Sequence, residues 1–359
     1  MVFRFCIGIC IGICSTVPPI IINEISPREI KCMLGVLIQL MISLGILFAF
    51  IVGGISNYSF SGYWSWAFPS LFPCSAILVQ CYLFIEKFNY DTPKWLLFND
   101  RTNDIERVMR KIYKPWAWQG RISEIEDEKT SIKSIKEALP CIVTRSFSRP
   151  VALAYVLCIF QQLTGINLPI FYSKAIFSKY NELSSISTLL TTILGLFNFL
   201  FVVPSFFLVR SVSRRSLLLQ GFTGLILCYS GLVLVCCLDQ SFYPHWIKLV
   251  LVILSVGFFE TSLGPIVWIY ITELISFDWI GSAISVQWAC AAAISAVYPL
   301  IFKYGEIYDY QILYCCFAFS CAVGFGLIYT FTIDLKSVDA DLLAEQYSTR
   351  RHSEDHLLT

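Results

Sequence analysis

Gln161 to Phe177 reads QQLTGINLPIFYSKAIF, inside a long apolar segment that begins near Pro150. Two adjacent glutamines, a Thr-Gly pair and an asparagine interrupt what would otherwise be hydrocarbon. A carboxamide in lipid is costly, by several kcal/mol, unless it is hydrogen-bonded. Gln161, Thr164, Gly165 and Asn167 therefore need partners, in protein or in a water-filled cavity. Gln161, Thr164 and Gly165 recur at three and four residues and share a helix face. Gly165 leaves the backbone open, and Pro169 is expected to break the next turn. Such residues serve either as glue between packed transmembrane helices or as a polar ligand site at membrane depth. The stretch by itself leaves both readings open.

The chain around it is 57% hydrophobic and 14% charged, with 29 phenylalanines and a mean hydropathy of +0.69. Soluble domains run near ~45–50% apolar and ~25% charged, so this is an all-α, polytopic membrane protein. Its net charge of +1 offers no electrostatic case for nucleic acid. Most of the 15 cysteines sit in apolar runs, among them Cys6, Cys10, Cys14, Cys236, Cys237, Cys315 and Cys316. They read as small buried hydrophobes rather than disulfides. Three histidines and no paired CxxC give no metal set, and nothing calls for a cofactor or an enzyme active site.

Apolar segments of about 20 residues mark spans. They lie near 2–22, 33–55, 64–86, 150–177, 186–209, 216–238, 246–275, 280–302 and 310–333, nine in all. The loop 87–149 carries thirteen of the 26 basic residues. With Arg28 and Lys31, the group Arg210, Arg214 and Arg215, and the tail residues Lys336, Arg350 and Arg351, one side of a nine-span topology holds 21 of the 26. That side is expected to be cytosolic. The expected domains are a partial amino-terminal bundle of three spans (1–86), a cytosolic linker with short helices (87–149), a six-span carboxyl bundle (150–333) and a cytosolic tail (334–359). An outward amino terminus with almost nothing before the first span suggests that sequence is missing. Asn57-Tyr58-Ser59 is a glycosylation sequon too close to the membrane to be used.

Several signatures then fall in order. Arg4 to Glu24 is RFCIGICIGICSTVPPIIINE; Gln39 stands in IQLMISLGI; Asp91 to Leu97 is DTPKWLL; QQLTGIN is followed by FYS; Phe259 to Glu273 is FETSLGPIVWIYITE. Together they resemble the facilitative sugar transporters of the major facilitator superfamily, in the hexose-transporter branch, from Arg4 to about Ile333. The resemblance implies facilitated diffusion of a monosaccharide such as glucose by alternating access in a multi-pass protein of the plasma membrane. It implies that Gln39, Gln161, Gln162, Asn167, Asn198, Glu260 and Trp268 contact the sugar. Sugar hydroxyls donate and accept, as carboxamides do, and an aromatic edge covers the apolar face of the ring. A carboxylate inside a span, such as Glu260, is either functional or part of a structural ion pair. Gly264-Pro265 beside it is expected to break the helix near mid-membrane. The family's inner gate implies that Glu24 and Glu273 pair with arginines of the cytosolic loops, Arg214 and Arg215 being the candidates for Glu273.

There are departures from the pattern. The family's first three spans have no counterpart, so the amino-terminal bundle reads as incomplete. The loop after the eighth span has lost its acid and glycine, leaving Arg210-Ser211-Val212-Ser213-Arg214-Arg215. Thr332-Ile333-Asp334-Leu335-Lys336 stands where PETKG is expected, and Cys158-Ile159-Phe160 stands for QLS. Gln287-Trp288 is the nearest candidate for the eleventh-span Asn-Trp pair. The alternative reading is a truncated, non-transporting isoform or a sugar-binding sensor, with the 359 residues alone moving hexose poorly. Lipid or a second copy of the chain would then complete the cavity wall, so a homo-oligomer stays open.

Overall fold

The structure is a computed structural model that describes residues 2–27, 30–114, 122, 148–178, 184–238, 246–275, 277–304 and 307–332. Arg28, most of the linker beyond Lys114 and the tail 334–359 lie outside the described residues. Among those described, all regular structure is helical. Nine segments are long and apolar enough to cross a membrane: Phe5–Ile25, Lys31–Ser59, Trp64–Glu86, Pro150–Lys174, Ile186–Ser211, Arg214–Cys237, Trp246–Leu274, Trp279–Val297 and Gln311–Phe331. They coincide with the nine apolar segments of the sequence. The chain is a multi-pass membrane protein.

The first three spans are α1 (Val2–Ile25), α2 (Lys31–Ser59) and α3 (Trp64–Glu86). Two short helices follow, α4 (Pro93–Phe98) and α5 (Thr102–Ile112). Thr92 caps α4, accepting from the Trp95 amide, and Pro93 begins the helix at a position whose amide needs no partner. Leu96, Leu97, Ile105, Val108 and Met109 form a small separate core beneath this pair. Both short helices lie within the segment 87–114.

The carboxyl part comprises α6 (Ser148–Leu163), α7 (Asn167–Ser178), α8 (Ser184–Val202), α9 (Ser205–Ser211), α10 (Arg214–Cys237), α11 (Trp246–Phe258), a π turn (Phe259–Leu263), α12 (Gly264–Leu274), α13 (Phe277–Tyr304) and α14 (Ile307–Phe331). The core lies here. Leu157, Leu217, Leu218, Phe222, Leu225, Leu263 and Tyr270 are almost fully buried. Small residues let the helices approach closely. A Cβ on Gly224 would run into the Phe258 ring, and one on Gly195 would lie 2.6 Å from Phe50 of α2. The amino-terminal spans differ sharply in burial. α3 buries no residue, whereas α2 packs across onto α8 and α12 and buries Gly35, Val36, Gln39, Ser43 and Ser56.

Two helix breaks lie close to where the sequence put them, with different causes. The first is at Gly165, not Pro169. Gly165 takes φ +76°, and a Cβ there would sit 2.5 Å from the Phe317 ring. Pro169 lies in the first turn of α7, where its missing amide donor is harmless. The second precedes Gly264-Pro265. The helix does not stop there but widens into the π turn and continues, so one extra residue is absorbed ahead of the proline.

Candidate functional site

The two breaks face each other. At the first, the carbonyls freed by the end of α6 take side-chain donors: Tyr229 Oη donates to Thr164 O at 2.6 Å, and Ser320 Oγ to Leu163 O at 2.6 Å. Thr164 and Gly165 therefore act as glue, fixing the break against α10 and α14. The neighbouring carboxamides point elsewhere. Gln161 Nε2 donates to Leu263 O at 3.0 Å and Gly264 O at 3.4 Å, across on the π turn and α12. Those two carbonyls require a donor, so the other end of Gln161 must be its oxygen. That oxygen accepts from Gln162 Nε2 at 3.5 Å and from Gln287 Nε2 of α13. Gln162 Oε1 accepts in turn from Asn167 Nδ2 at 2.8 Å. Four carboxamides from α6, α7 and α13 thus form one continuous chain.

A second cluster surrounds Glu260 in the π turn, whose residue is 0% exposed. Its Oε2 accepts from Gln39 Nε2 at 2.8 Å and Ser43 Oγ at 3.3 Å, both on α2; its Oε1 accepts from Asn198 Nδ2 of α8 at 2.8 Å. Trp268 Nε1 donates to Gln39 Oε1 at 3.2 Å. Indole can only donate, so this contact fixes the Gln39 amide with its nitrogen toward the carboxylate. Among the described residues the hydrogen-bond partners of Glu260 are neutral, and no cation stands beside it for the structural ion-pair reading. The two clusters meet at Gly264. A Cβ on it would be 3.2 Å from both Gln39 Cδ and Glu260 Oε2, while its own carbonyl accepts from Gln161.

All seven residues proposed for sugar contact thus fall in these two adjoining clusters, all of them buried except Asn167, which is half-buried. Ser43 and Gln287 join them without having been singled out as contacts. Ser43 had no signal beyond its place four residues after Gln39. Gln287 was legible as the candidate for the eleventh-span position, whereas Trp288 beside it is 38% exposed and turned away. Two buried acceptors in the network have no hydrogen-bond partner: Asn198 Oδ1 and Gln287 Oε1. Unpaired buried polar atoms are uncommon and point to strain or to a ligand.

The residues expected to form a gate gather at the end of the bundle where α2 and α10 begin and α12 ends. Arg214 Nη2 donates to Glu273 Oε1 at 3.2 Å; both side chains are mostly buried, at 10% and 17% exposed. Ser213 caps α10 by accepting from the Ser216 amide, which sets Arg214 in its first turn. Arg215 does not reach Glu273. It lies over the Tyr329 ring at 5.3 Å and donates to the Tyr329 carbonyl at 2.6 Å. Glu24 accepts from Thr92 Oγ1 at 2.5 Å, and Tyr113 Oη donates to Ile25 O, so the end of α1 is tied to the linker helices. Asn23 Nδ2 donates to Thr272 O at 3.4 Å across the same end.

Comparison with known proteins adds three findings. Residues 1–347 match the family model "Sugar (and other) transporter". The chain is 29% identical to the glucose transporter GlcP of Staphylococcus epidermidis over 79% of its own length and 62% of that protein. It is 29% identical to the facilitated glucose transporter member 3 of Gallus gallus over 84% of its length and 60% of that protein. It therefore spans about three fifths of these relatives. The proton:xylose symporter XylE, solved with 6-bromo-6-deoxy-D-glucose, superposes with a TM-score of 0.78 at 21% identity, covering 93% of this chain and 70% of that one. The fold is that of the major facilitator superfamily.

Proposed function

This chain belongs to the sugar (and other) transporter family, and we propose that it takes part in moving a monosaccharide, a hexose such as glucose, across a membrane by facilitated diffusion. The observation that carries the proposal is the pair of adjoining clusters: the carboxamide chain led by Gln161 and the groups around Glu260 meet at one π turn, with two buried acceptors, Asn198 Oδ1 and Gln287 Oε1, unspent. A hexose presents hydroxyls that donate and accept at once. It matches groups that now satisfy one another, because a hydroxyl can donate to Glu260 while accepting from Gln39 or Asn198. Exchange of one neutral hydrogen bond for another is nearly balanced in free energy, which suits a site that must release as well as bind. Trp268 supplies the apolar face for the ring. Nothing in this set forms a nucleophile and base pair, so transport without chemistry is the reading.

The mechanism is alternating access. The helices before the linker and those after it act as two bodies, with α2 as the surface that the first presents to the second. Opening at the Arg214–Glu273 end would expose the network to the side where the basic loops lie, which is the cytosol in this reading, with the plasma membrane as the site of action. The named glucose transporters among its relatives favour a hexose. The test is uptake of labelled glucose and fructose into vesicles that contain this chain. Saturable uptake that Gln161→Ala abolishes is expected. Binding of labelled glucose without uptake would replace transport by sensing, and neither binding nor uptake would remove the proposal.

A further inference from the structure

Cys32 opens the face of α2 that meets the carboxyl part. Cys32, Gly35, Gln39 and Ser43 recur at three and four residues and form one stripe. Its far end holds Glu260 through Gln39 and Ser43. Its middle is in close contact, since a Cβ on Gly35 would lie 2.6 Å from Ile269 of α12. Its near end is Cys32, whose thiol donates to Glu273 Oε1 at 3.4 Å and accepts from Arg214 Nη2. The two members of the ion pair both come from the carboxyl part, Arg214 from α10 and Glu273 from α12. Cys32 comes from the other side and touches both members of the pair. A small cleft beside it, lined by Lys31, Gly35 and Glu273, reaches Trp268 of the central network.

We propose that Cys32 is the amino-terminal member of the latch at this end: a positioning residue whose thiol docks α2 on the Arg214–Glu273 pair and closes the path from Trp268 outward. The proposal rests on the alternating-access reading for its role in transport, but the docking itself does not. A latch residue must change its exposure when the pair is broken, whereas a merely packed cysteine keeps its cover. Partial burial of the sulfur against two charged groups slows its reaction with an alkylating agent as long as the end stays shut.

The experiment uses the full chain in lipid vesicles and reads N-ethylmaleimide alkylation of each cysteine by peptide mass spectrometry. Glu273→Gln keeps the size of the side chain and removes the charge. It is expected to raise the alkylation rate of Cys32 by about tenfold, the scale of a shift in a two-state equilibrium when an ion pair is lost. Cys228, buried in the core, should remain unreactive in both proteins. An unchanged Cys32 rate with Cys228 still protected would overturn the proposal. If Cys228 also becomes reactive, the variant has lost its fold, and a second comparison decides. Cys32→Val removes donor and acceptor at similar volume and is expected to change the ratio of efflux to influx of labelled glucose, and Cys32→Ser to restore it. Equal ratios in all three proteins, in vesicles that do transport, would overturn the proposal. A Cys32 rate that answers to Glu273→Gln but not to added D-glucose, in vesicles without uptake, would count against the transport reading and leave the latch standing.

Discussion

The central network and the latch each set a carboxylate of the π turn and α12 against α2, yet each holds its carboxylate differently. Glu260 is wholly buried and is met by two carboxamides and a hydroxyl. Glu273 is partly exposed and is met by a guanidinium and a thiol. A buried acid facing a fixed cation would be held in one arrangement, because separating the pair strands a charge. An acid facing neutral donors can trade one for another. The first arrangement suits a site whose partners must be exchanged for sugar hydroxyls. The second suits a contact with water nearby, where both charges can be solvated once the end opens. Under the proposed function, the difference matches binding at one end of the α2 stripe and gating at the other.

The sharpest way to break this comparison is to delete the two acids in turn. Glu260→Ala leaves Asn198 Nδ2, Gln39 Nε2 and Ser43 Oγ buried without their acceptor, each at about 1–3 kcal/mol. The expected outcome is a fall of several degrees in the unfolding temperature in detergent, together with complete loss of labelled-glucose binding. Glu273→Ala should also lower that temperature, because it leaves the mostly buried Arg214 without its carboxylate, but it should spare labelled-glucose binding. Equal losses of binding would mean that the two acids do the same work. Next in size is Gln161→Ala, which removes the donor that spans from α6 to the carbonyls of Leu263 and Gly264. Equilibrium binding should weaken by about tenfold or more, the range for a site that loses a group made for a hydroxyl or amide partner. Full retention of affinity would place the sugar elsewhere.

Gly264 offers a smaller and more pointed test, because it sits where the two halves of the network join. Gly264→Ala puts a methyl 3.2 Å from Gln39 Cδ and Glu260 Oε2, so one of them must yield by a few tenths of an ångström. Glucose affinity is expected to drop by a few-fold. Gly326→Ala, where nothing lies within 4 Å, serves as the silent control. An unaffected affinity in the first would show that the two clusters act independently.

The spans and the polar network were legible in the sequence for a simple physical reason. Polar groups at membrane depth are rare, and those present must find one another. Hydropathy alone gave nine segments, and the carboxamides of QQLTGIN together with Glu260 converged as their chemistry required. What the sequence could not supply was the division of labour within that stretch. Thr164 and Gly165 look as functional as Gln161, but the Phe317 ring and the Tyr229 hydroxyl decide that they are packing residues. Neither partner is near in sequence. The same limit applies at the gate. Arg214 and Arg215 are adjacent and chemically alike, and a helix turn sends one to Glu273 and the other to Tyr329. Cys32 carried no signal at all, because a cysteine near the start of a span reads as a small apolar residue until Arg214 is seen beside it.

The mildest test changes no residue. The screening length falls from ~10 Å at 0.1 M salt to ~3 Å at 1 M, and screening reaches only charges that ions in water can approach. Glu273 keeps 17% of its side chain exposed and Arg214 10%, so their attraction at 3.2 Å is partly open to salt. Glu260 is 0% exposed and has no cation partner, so its hydrogen bonds to Gln39, Ser43 and Asn198 are closed to it. Raising potassium chloride from 0.1 M to 1 M should therefore loosen the latch and leave the network alone. The expected readings are an increase of about two-fold in the alkylation rate of Cys32, a partial screening of a pair that keeps only some contact with water, and an unchanged dissociation constant for labelled glucose measured in the same vesicles. Replacing the chloride by an equal osmolarity of sucrose should cancel the first effect and confirm that it is electrostatic. A glucose affinity that fell with salt while Cys32 stayed protected would invert the assignment, placing exchangeable charge at the centre of the bundle and a salt-proof contact at its end.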